Sequence, residues 1–355
     1  MEVLLETLGE KGLQRFHTLE PDAVSAVAER FYATLGSTYA QFGSRGRDAC
    51  REDLAFHLEF LRPVLEFGLL APMVDYLRWL ASVLAARSIP GEHLGLSLDW
   101  LAEFFAANME PSDGAVVAAA LRAARTKLLA PRETPLVPGA PPEPGPAEAF
   151  ETALLAGDQH QALAVMNDCI DSGHDFVDVE LRVIQAAMYR IGEKWQPNQV
   201  TVAQEHIATA IVQSVMTAAL LRSQPPAPID KRVLLACVTG NRHTIGLRMV
   251  ADSFQLAGWE VQYLGADVPT PSLIRQIGEW SPDLVALSLA FPQQLRVVKN
   301  VIEQLRARYG PARPPVMIGG LAINHFDRLV DMVGADAHAF NCRAAIVAAK
   351  QLVGR

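Results

Sequence analysis

The sequence predicts a multidomain α and α/β protein: an all-helical N-terminal domain of about globin size, a four-helix bundle, and a C-terminal doubly wound parallel sheet. Three observations carry this expectation. Residues 1–130 keep helical apolar spacing throughout. Residues 131–146, PRETPLVPGAPPEPGP, hold seven prolines in sixteen positions, and such a run sustains neither helix nor sheet ladder. Beyond residue 229, short apolar runs alternate with helical segments, the pattern of a parallel sheet covered on both faces.

The elements follow in order. In the first domain, Leu54, Leu58, Leu61 and Leu65 fall at i, i+4, i+7 and i+11, one face of a helix. Pro63, Pro72, Pro90 and Pro111 are expected to divide this domain into several helices. After the linker, residues 147–223 are helical again, with Leu181, Ile184, Met188, Ile191 and Trp195 on one stripe. Pro197 and Asn198 end that helix, and Thr201 caps a long one running to about Leu221. A second proline cluster, Gln224 to Pro228, precedes the α/β domain of residues 229–355. Its strands are expected at RVLLACV, Glu260–Leu264, Leu284–Leu289 and Val316–Ile318, with a short edge strand. Helices are expected at Ile245–Ala257, Pro271–Trp280, Leu295–Arg308 and Ile323–Val333, with a last one closing the chain.

Bulk properties exclude several function classes. A net charge of −8 is the wrong sign for gripping a phosphate backbone, so nucleic acid is not an expected direct partner. Cys50, Cys169, Cys237 and Cys342 are scattered without a CxxC pair, which suits reduced thiols in a cytoplasm. The first residues lack the basic and apolar regions of a secretory signal, and no apolar run approaches the ~18 residues of a membrane span. A cytoplasmic protein without a membrane partner is expected.

In doubly wound sheets ligands sit beyond the C-terminal strand ends, which draws attention to the loops after Val238, Leu289 and Ile318. The first reads Thr239-Gly240-Asn241-Arg242-His243-Thr244-Ile245-Gly246. An imidazole at position 243 stands on the sheet rim, placed to ligate a metal through one nitrogen. Asn241 is positioned to accept the proton on the other, and Gly246 lets a bulky group approach the helix start. A capping or surface histidine is the alternative on this loop alone. Ser288 and the Gly319-Gly320 pair, small residues at adjacent strand ends, would open a deep slot into the domain.

These residues resemble the cobalamin-binding domain of methionine synthase, the mutases and the light-sensing regulators, with its D/E-x-H-x-x-G loop, Ser-x-Leu strand end and Gly-Gly strand end. The resemblance implies that His243 is the lower cobalt ligand and that the displaced nucleotide tail enters the slot lined by Ser288, Gly319 and Gly320. Two positions depart from the pattern. Asn241 replaces the acid, which makes the imidazole a weaker donor; Ala290 replaces leucine, which leaves the tail pocket roomier.

In the bundle, Trp195 is followed after nine residues by Glu205-His206. An apolar ring with a hydrogen-bonding pair suits an adenosyl group, whereas a core tryptophan and a surface acid–base pair are the alternative. W-x9-E-H resembles the cap signature of CarH-type photoreceptors, which bind adenosylcobalamin and lose the adenosyl group in light. That implies Trp195 and Glu205 at the adenosyl group, and His206 free to coordinate cobalt once the group leaves. The resemblance spans residues 150–355. It stops at the N-terminus, where no helix-turn-helix with a basic recognition helix is read.

The N-terminal domain resembles instead the globin-like, biliverdin-holding domain of photocobilins. His57, Tyr76, Arg78 and Trp79, with Asp75 and Arg62, are the candidates for a bilin's apolar walls, propionate cations and pyrrole acceptor. A satisfied core histidine at 57, or haem ligation by it, are the alternatives; Cys50 offers covalent attachment, though a lone cysteine is more often inert. The expected function is a photoreceptor carrying adenosylcobalamin and biliverdin, signalling through a homo-oligomer (dimer or tetramer) to a downstream protein, and not an enzyme. A corrinoid methyl carrier is the alternative; a mutase would need a substrate barrel of ~250 residues.

Overall fold

The computed structural model describes residues 5–85, 89–130, 145–195, 199–223, 226–325 and 329–354. The chain divides into two compact units, Met1–Leu136 and Val137–Arg355. Residues 131–144 of the expected linker lie outside the described residues, as do Pro197, Asn198 and the first two residues of the second proline cluster. Among the described residues no helix is long and apolar enough to cross a membrane.

The first unit is helical: α1 Glu10–Tyr39, α2 Gly43–Phe67, α3 Ala71–Ala85, α4 Gly91–Asn108 and α5 Pro111–Leu129. The leucine stripe of α2 is its buried face, with Leu54, Leu58, Leu61 and Leu65 all under 3% exposed. Phe16 of α1 stacks on Phe105 of α4 at 4.8 Å in the same core. Pro72 and Pro111 stand in first turns and Pro90 just before α4, where a missing N–H costs little. Pro63 corrects the sequence expectation, because it sits buried inside α2 and does not end it. Leu58, Leu61, Val64 and Leu65 are buried on both sides of it, so core packing offsets the lost hydrogen bond.

The second unit opens with four helical segments: α6 Pro146–Leu155, α7 Gln159–Asp171, the continuous α8 Phe176–Val179, π turn Glu180–Ile184 and α9 Gln185–Trp195, and then α10 Val202–Leu220. Pro146, assigned to the linker from sequence, is instead in the first turn of α6. Thr201 caps α10 in a reciprocal capping box with Gln204. Ile184 and Ile191 are fully buried, whereas Trp195, at the end of the same stripe, is exposed.

The sheet follows, as β1 Arg232–Val238, α11 Ile245–Leu256, β2 Glu260–Val268, α12 Thr270–Trp280, β3 Leu284–Ser288, α13 Leu295–Tyr309, β4 Val316–Gly319, α14 Leu321–His325, α15 Leu329–Val333, β5 Ala337–Ala339 and α16 Cys342–Val353. All pairings are parallel, in the order β2-β1-β3-β4-β5. The chain therefore reverses direction across the sheet between β1 and β3, and the crevice lies above that point. β2 runs four residues beyond its expected end at Leu264. Gly265, at φ +77°, makes a bulge opposite Ala236 that the Gly-Ala-Asp sequence disguises as a turn. The helix expected over Ile323–Val333 is described as α14 and α15, with 326–328 outside the described residues.

Candidate corrinoid site

The loop after β1 is tied to its neighbours by backbone and side-chain hydrogen bonds. Thr239 Oγ1 donates to Val268 O at 2.9 Å, and Gly240 N to Asp267 Oδ1 at 2.7 Å. Asn241, fully buried, organises the rest. Its Nδ2 donates to Ser288 O at 2.9 Å, which fixes the amide orientation and turns Oδ1 toward His243. That oxygen accepts from His243 N at 3.0 Å and faces Nδ1 at 3.3 Å. Nδ1 therefore carries the proton, and Nε2 is the nitrogen with a lone pair for a metal. The edge of Phe291 packs on the imidazole at 5.3 Å. His243 keeps an exposed edge, yet the surrounding atoms desolvate it enough to lower its pKa, with Glu205 pulling the other way. Lowering favours the neutral, coordinating form.

The glycines divide into two kinds. A Cβ on Gly319 would lie 2.8 Å from Ala339 O, and one on Gly320, at φ +105°, would lie 2.4 Å from Leu289 O. The protein's own backbone requires both. A Cβ on Gly246 would meet nothing within 4 Å, so the fold does not need glycine there and leaves open space beside the start of α11. Ser288 is buried between these strand ends.

On the helical bundle, Glu205 and His206 stand in the first turns of α10. Glu205 Oε2 accepts from His206 Nδ1 at 2.6 Å and Oε1 from Thr209 Oγ1 at 2.8 Å. Trp195 of α9 and Val202 and Ile207 of α10 are exposed to solvent. Gln213 Nε2 of α10 donates to Thr244 Oγ1 at 3.2 Å, joining the bundle to the residue after His243.

The B12 binding domain family matches residues 231–346, and a second B12 binding domain family matches residues 146–220. Dimethylamine corrinoid protein 3 of Methanosarcina mazei is 34% identical over 116 residues, 33% of this chain and 68% of that protein. The chain belongs to the B12-binding family. Dimethylamine corrinoid protein 3 of Methanosarcina acetivorans is 28% identical over 173 residues, 48% of this chain and 79% of that one. The HTH-type transcriptional repressor CarA of Myxococcus xanthus is 32% identical over 134 residues, 38% of this chain and 46% of the repressor. A solved structure of the Methanosarcina barkeri monomethylamine corrinoid protein aligns at 20% identity over 57% of this chain and 96% of that chain, with a TM-score of 0.49.

The residues around His243 fit what a corrin needs. A corrin supplies its equatorial donors itself, so the protein needs to offer an axial ligand, room and a place for the tail. His243 presents an oriented imidazole, Gly246 leaves space beside it, and Ser288 with Gly319 and Gly320 forms the small-residue strand ends. Three contributors had no signal in the sequence. Phe291 lies against His243, Thr209 holds Glu205, and the buried Gln294 accepts from Ala290 N and Phe291 N with its Oε1. Each becomes relevant only through a loop or helical register that folding creates.

The N-terminal candidates are placed differently. His57 is 2% exposed and shares a 2.9 Å hydrogen bond between Nδ1 and the Tyr76 hydroxyl. Burial lowers its pKa to about 3 and raises that of Tyr76. Tyr76 stacks on Phe60 at 4.0 Å, and half-buried Trp79 packs on the same core. Arg62 Nε donates to Glu20 at 2.8 Å, and Arg78 donates to Lys127 O at 2.9 Å. The structure thus gives His57, Tyr76, Arg62 and Arg78 partners within the helical unit. Cys50 is a free thiol whose pKa burial pushes up to about 11, which leaves it unreactive at neutral pH.

Proposed function

We propose that this protein is a light sensor that binds adenosylcobalamin, with His243 below the cobalt and Trp195, Glu205 and His206 at the adenosyl side. One observation carries the reading. α10, which carries Glu205 and His206, is joined through Gln213 Nε2 to Oγ1 of Thr244, the residue after His243, at 3.2 Å, and Trp195 at the end of α9 is exposed. Glu205 would accept from the ribose hydroxyls, and the Trp195 ring would give the base a flat apolar wall. Bound adenosylcobalamin supplies a cobalt–carbon bond that visible light breaks. The chain's own residues do the rest. Asn241 keeps the proton on Nδ1 of His243 and directs Nε2 to the metal. Glu205 accepts from Nδ1 of His206, so that His206 would hold Nε2 available to the metal. Trp195 would pack on the adenosyl group when it is bound, and its exposed ring would repack in its absence. A domain shift or a change of homo-oligomer passes the signal to a partner protein, with no catalysis by this chain and in the cytoplasm.

The test is to mix the purified protein with adenosylcobalamin in the dark, then record absorption spectra and elution volume before and after green light. A light-driven spectral change with altered elution supports the sensor; photolysis no faster than that of the free cofactor overturns it. The corrinoid relatives favour a second reading, a methyl carrier. Methyl transfer from the bound cofactor to a thiol acceptor, without a light response, decides for it. Biliverdin in the helical unit remains the proposed second chromophore. It requires Arg62 and Arg78 to exchange Glu20 and a backbone carbonyl for propionates, and a red absorption band on adding biliverdin tests it.

A further inference from the structure

Where the bundle meets α11, two carboxyl groups are buried together. Glu180 is 0% exposed and Asp252 is 2% exposed. Neither oxygen of Glu180 and not Oδ2 of Asp252 finds a hydrogen-bond donor when both are counted as carboxylates, although the two groups stand within hydrogen-bonding reach of each other. One guanidinium serves the pair: Arg248 Nε lies 2.6 Å from Asp252 Oδ1. Cys342 faces Glu180 from α16 as a buried thiol that burial keeps protonated. Nearby Asp175 and Asp178 are engaged by Arg343. Two buried anions against one cation leave an uncompensated charge, whereas a single shared proton brings the cluster to neutrality and supplies the missing donor. Burial raises the Asp252 pKa too, but Arg248 pulls it back down, while among the described residues Glu180 has no ion pair of its own, so the shared proton is assigned to Glu180.

The backbone marks the same position. Glu180 opens the π turn between α8 and α9, an interruption of helical hydrogen bonding that tends to fall at functional places. On the far side, Arg248 lies over the Tyr263 ring at 5.9 Å and the Tyr263 hydroxyl meets Thr244 O at 3.5 Å. Thr244 is the residue after His243 and the one that Gln213 reaches from α10. We infer that Glu180 is a positioning residue: as a neutral acid it donates to Asp252, fastening the bundle's π turn to α11 and thereby setting Trp195, Glu205 and His206 over the His243 loop. Its bearing on corrinoid binding rests on the reading above; its proton does not.

Burial, Asp252 and Cys342 all raise the Glu180 pKa well above the carboxylate range, against a smaller opposing effect of Arg248. The folded chain therefore holds a proton that the unfolded chain releases above its ordinary carboxyl pKa. Stability from this group falls as pH rises from there toward the raised value. Infrared spectra of the full chain without corrinoid at pH 7 should contain a protonated-carboxyl C=O band that Glu180→Gln removes; no Glu180-dependent band overturns the assignment. Between about pH 5 and pH 8 the unfolding midpoint of the wild type should fall relative to that of Glu180→Gln, and parallel curves also overturn it. Glu180→Gln keeps an N–H donor and should bind hydroxocobalamin as the wild type does. Glu180→Leu should weaken binding roughly 10-fold or more, as removal of supporting partners does. Equal affinity of the Leu variant overturns the positioning role. A wild type that binds no corrinoid condemns the functional reading instead, and the infrared band still judges the proton.

Discussion

His57 and His243 are the same side chain put to opposite uses. His57 lies within the core of the helical unit, 2% exposed, with Tyr76 on its Nδ1. His243 stands on the rim of a sheet, one edge exposed, its Nδ1 turned to Asn241 and its other nitrogen left to coordinate. Burial lowers both pKa values, but only His243 joins a lowered pKa to open space at Gly246. A partner on one imidazole nitrogen does not define a ligand. What sets His243 apart is that its partner fixes the ring while the imidazole stays exposed and open space lies at Gly246.

The sharpest way to break the contrast is to remove each imidazole in turn. His243→Ala should lower corrinoid affinity by more than the roughly 10–100-fold typical of losing an orienting partner, with the unfolding midpoint of the corrinoid-free protein unchanged. Spectral titration and thermal denaturation read the two effects, and unchanged affinity would end the ligand assignment. His57 should matter to stability instead. Its folded pKa, about 3, lies below the unfolded value, so the unfolded chain binds more protons as pH falls from about 6.5 toward 3. Stability on the order of a few kcal/mol, fully present above that window, is lost across it. Urea titrations at pH 7 and pH 4 should show this loss in the wild type and a smaller one in His57→Leu.

The two kinds of glycine sharpen the same contrast. Gly320→Ala forces a Cβ to within 2.4 Å of Leu289 O at φ +105° and should cost about 1–3 kcal/mol in denaturant unfolding. Gly246→Ala meets nothing and should leave stability level or raise it by about 0.5–1 kcal/mol. Its effect should appear in corrinoid affinity, which falls. Tyr76→Phe should cost about 1 kcal/mol by leaving the His57 nitrogen without its partner, with corrinoid affinity untouched.

Much of this was legible in the sequence because it depends on local order. The leucine stripe of α2, the Thr201 cap and the alternation of apolar strands with helices all act within a few residues of themselves. Pro63 stays inside α2 because a proline's local cost is fixed while the burial that offsets it depends on packing. His57 stayed open between core and ligand for the same reason: its stripe is apolar either way, and only Tyr76, nineteen residues on, decides it.

The sequence by itself determined the order of helices and strands, the position of the Asn241–His243 loop at a strand end, and the glycines that close packing of backbone demands. Tertiary structure alone decided which polar groups meet: Asn241 with Ser288, Glu205 with Thr209 and the field of His243, Glu180 with Asp252 and Arg248. Periodicity encodes which face of an element is buried, but hydrogen bonds and charge pairs act over a few ångströms. Their partners are therefore set by how elements dock, a property no single segment carries.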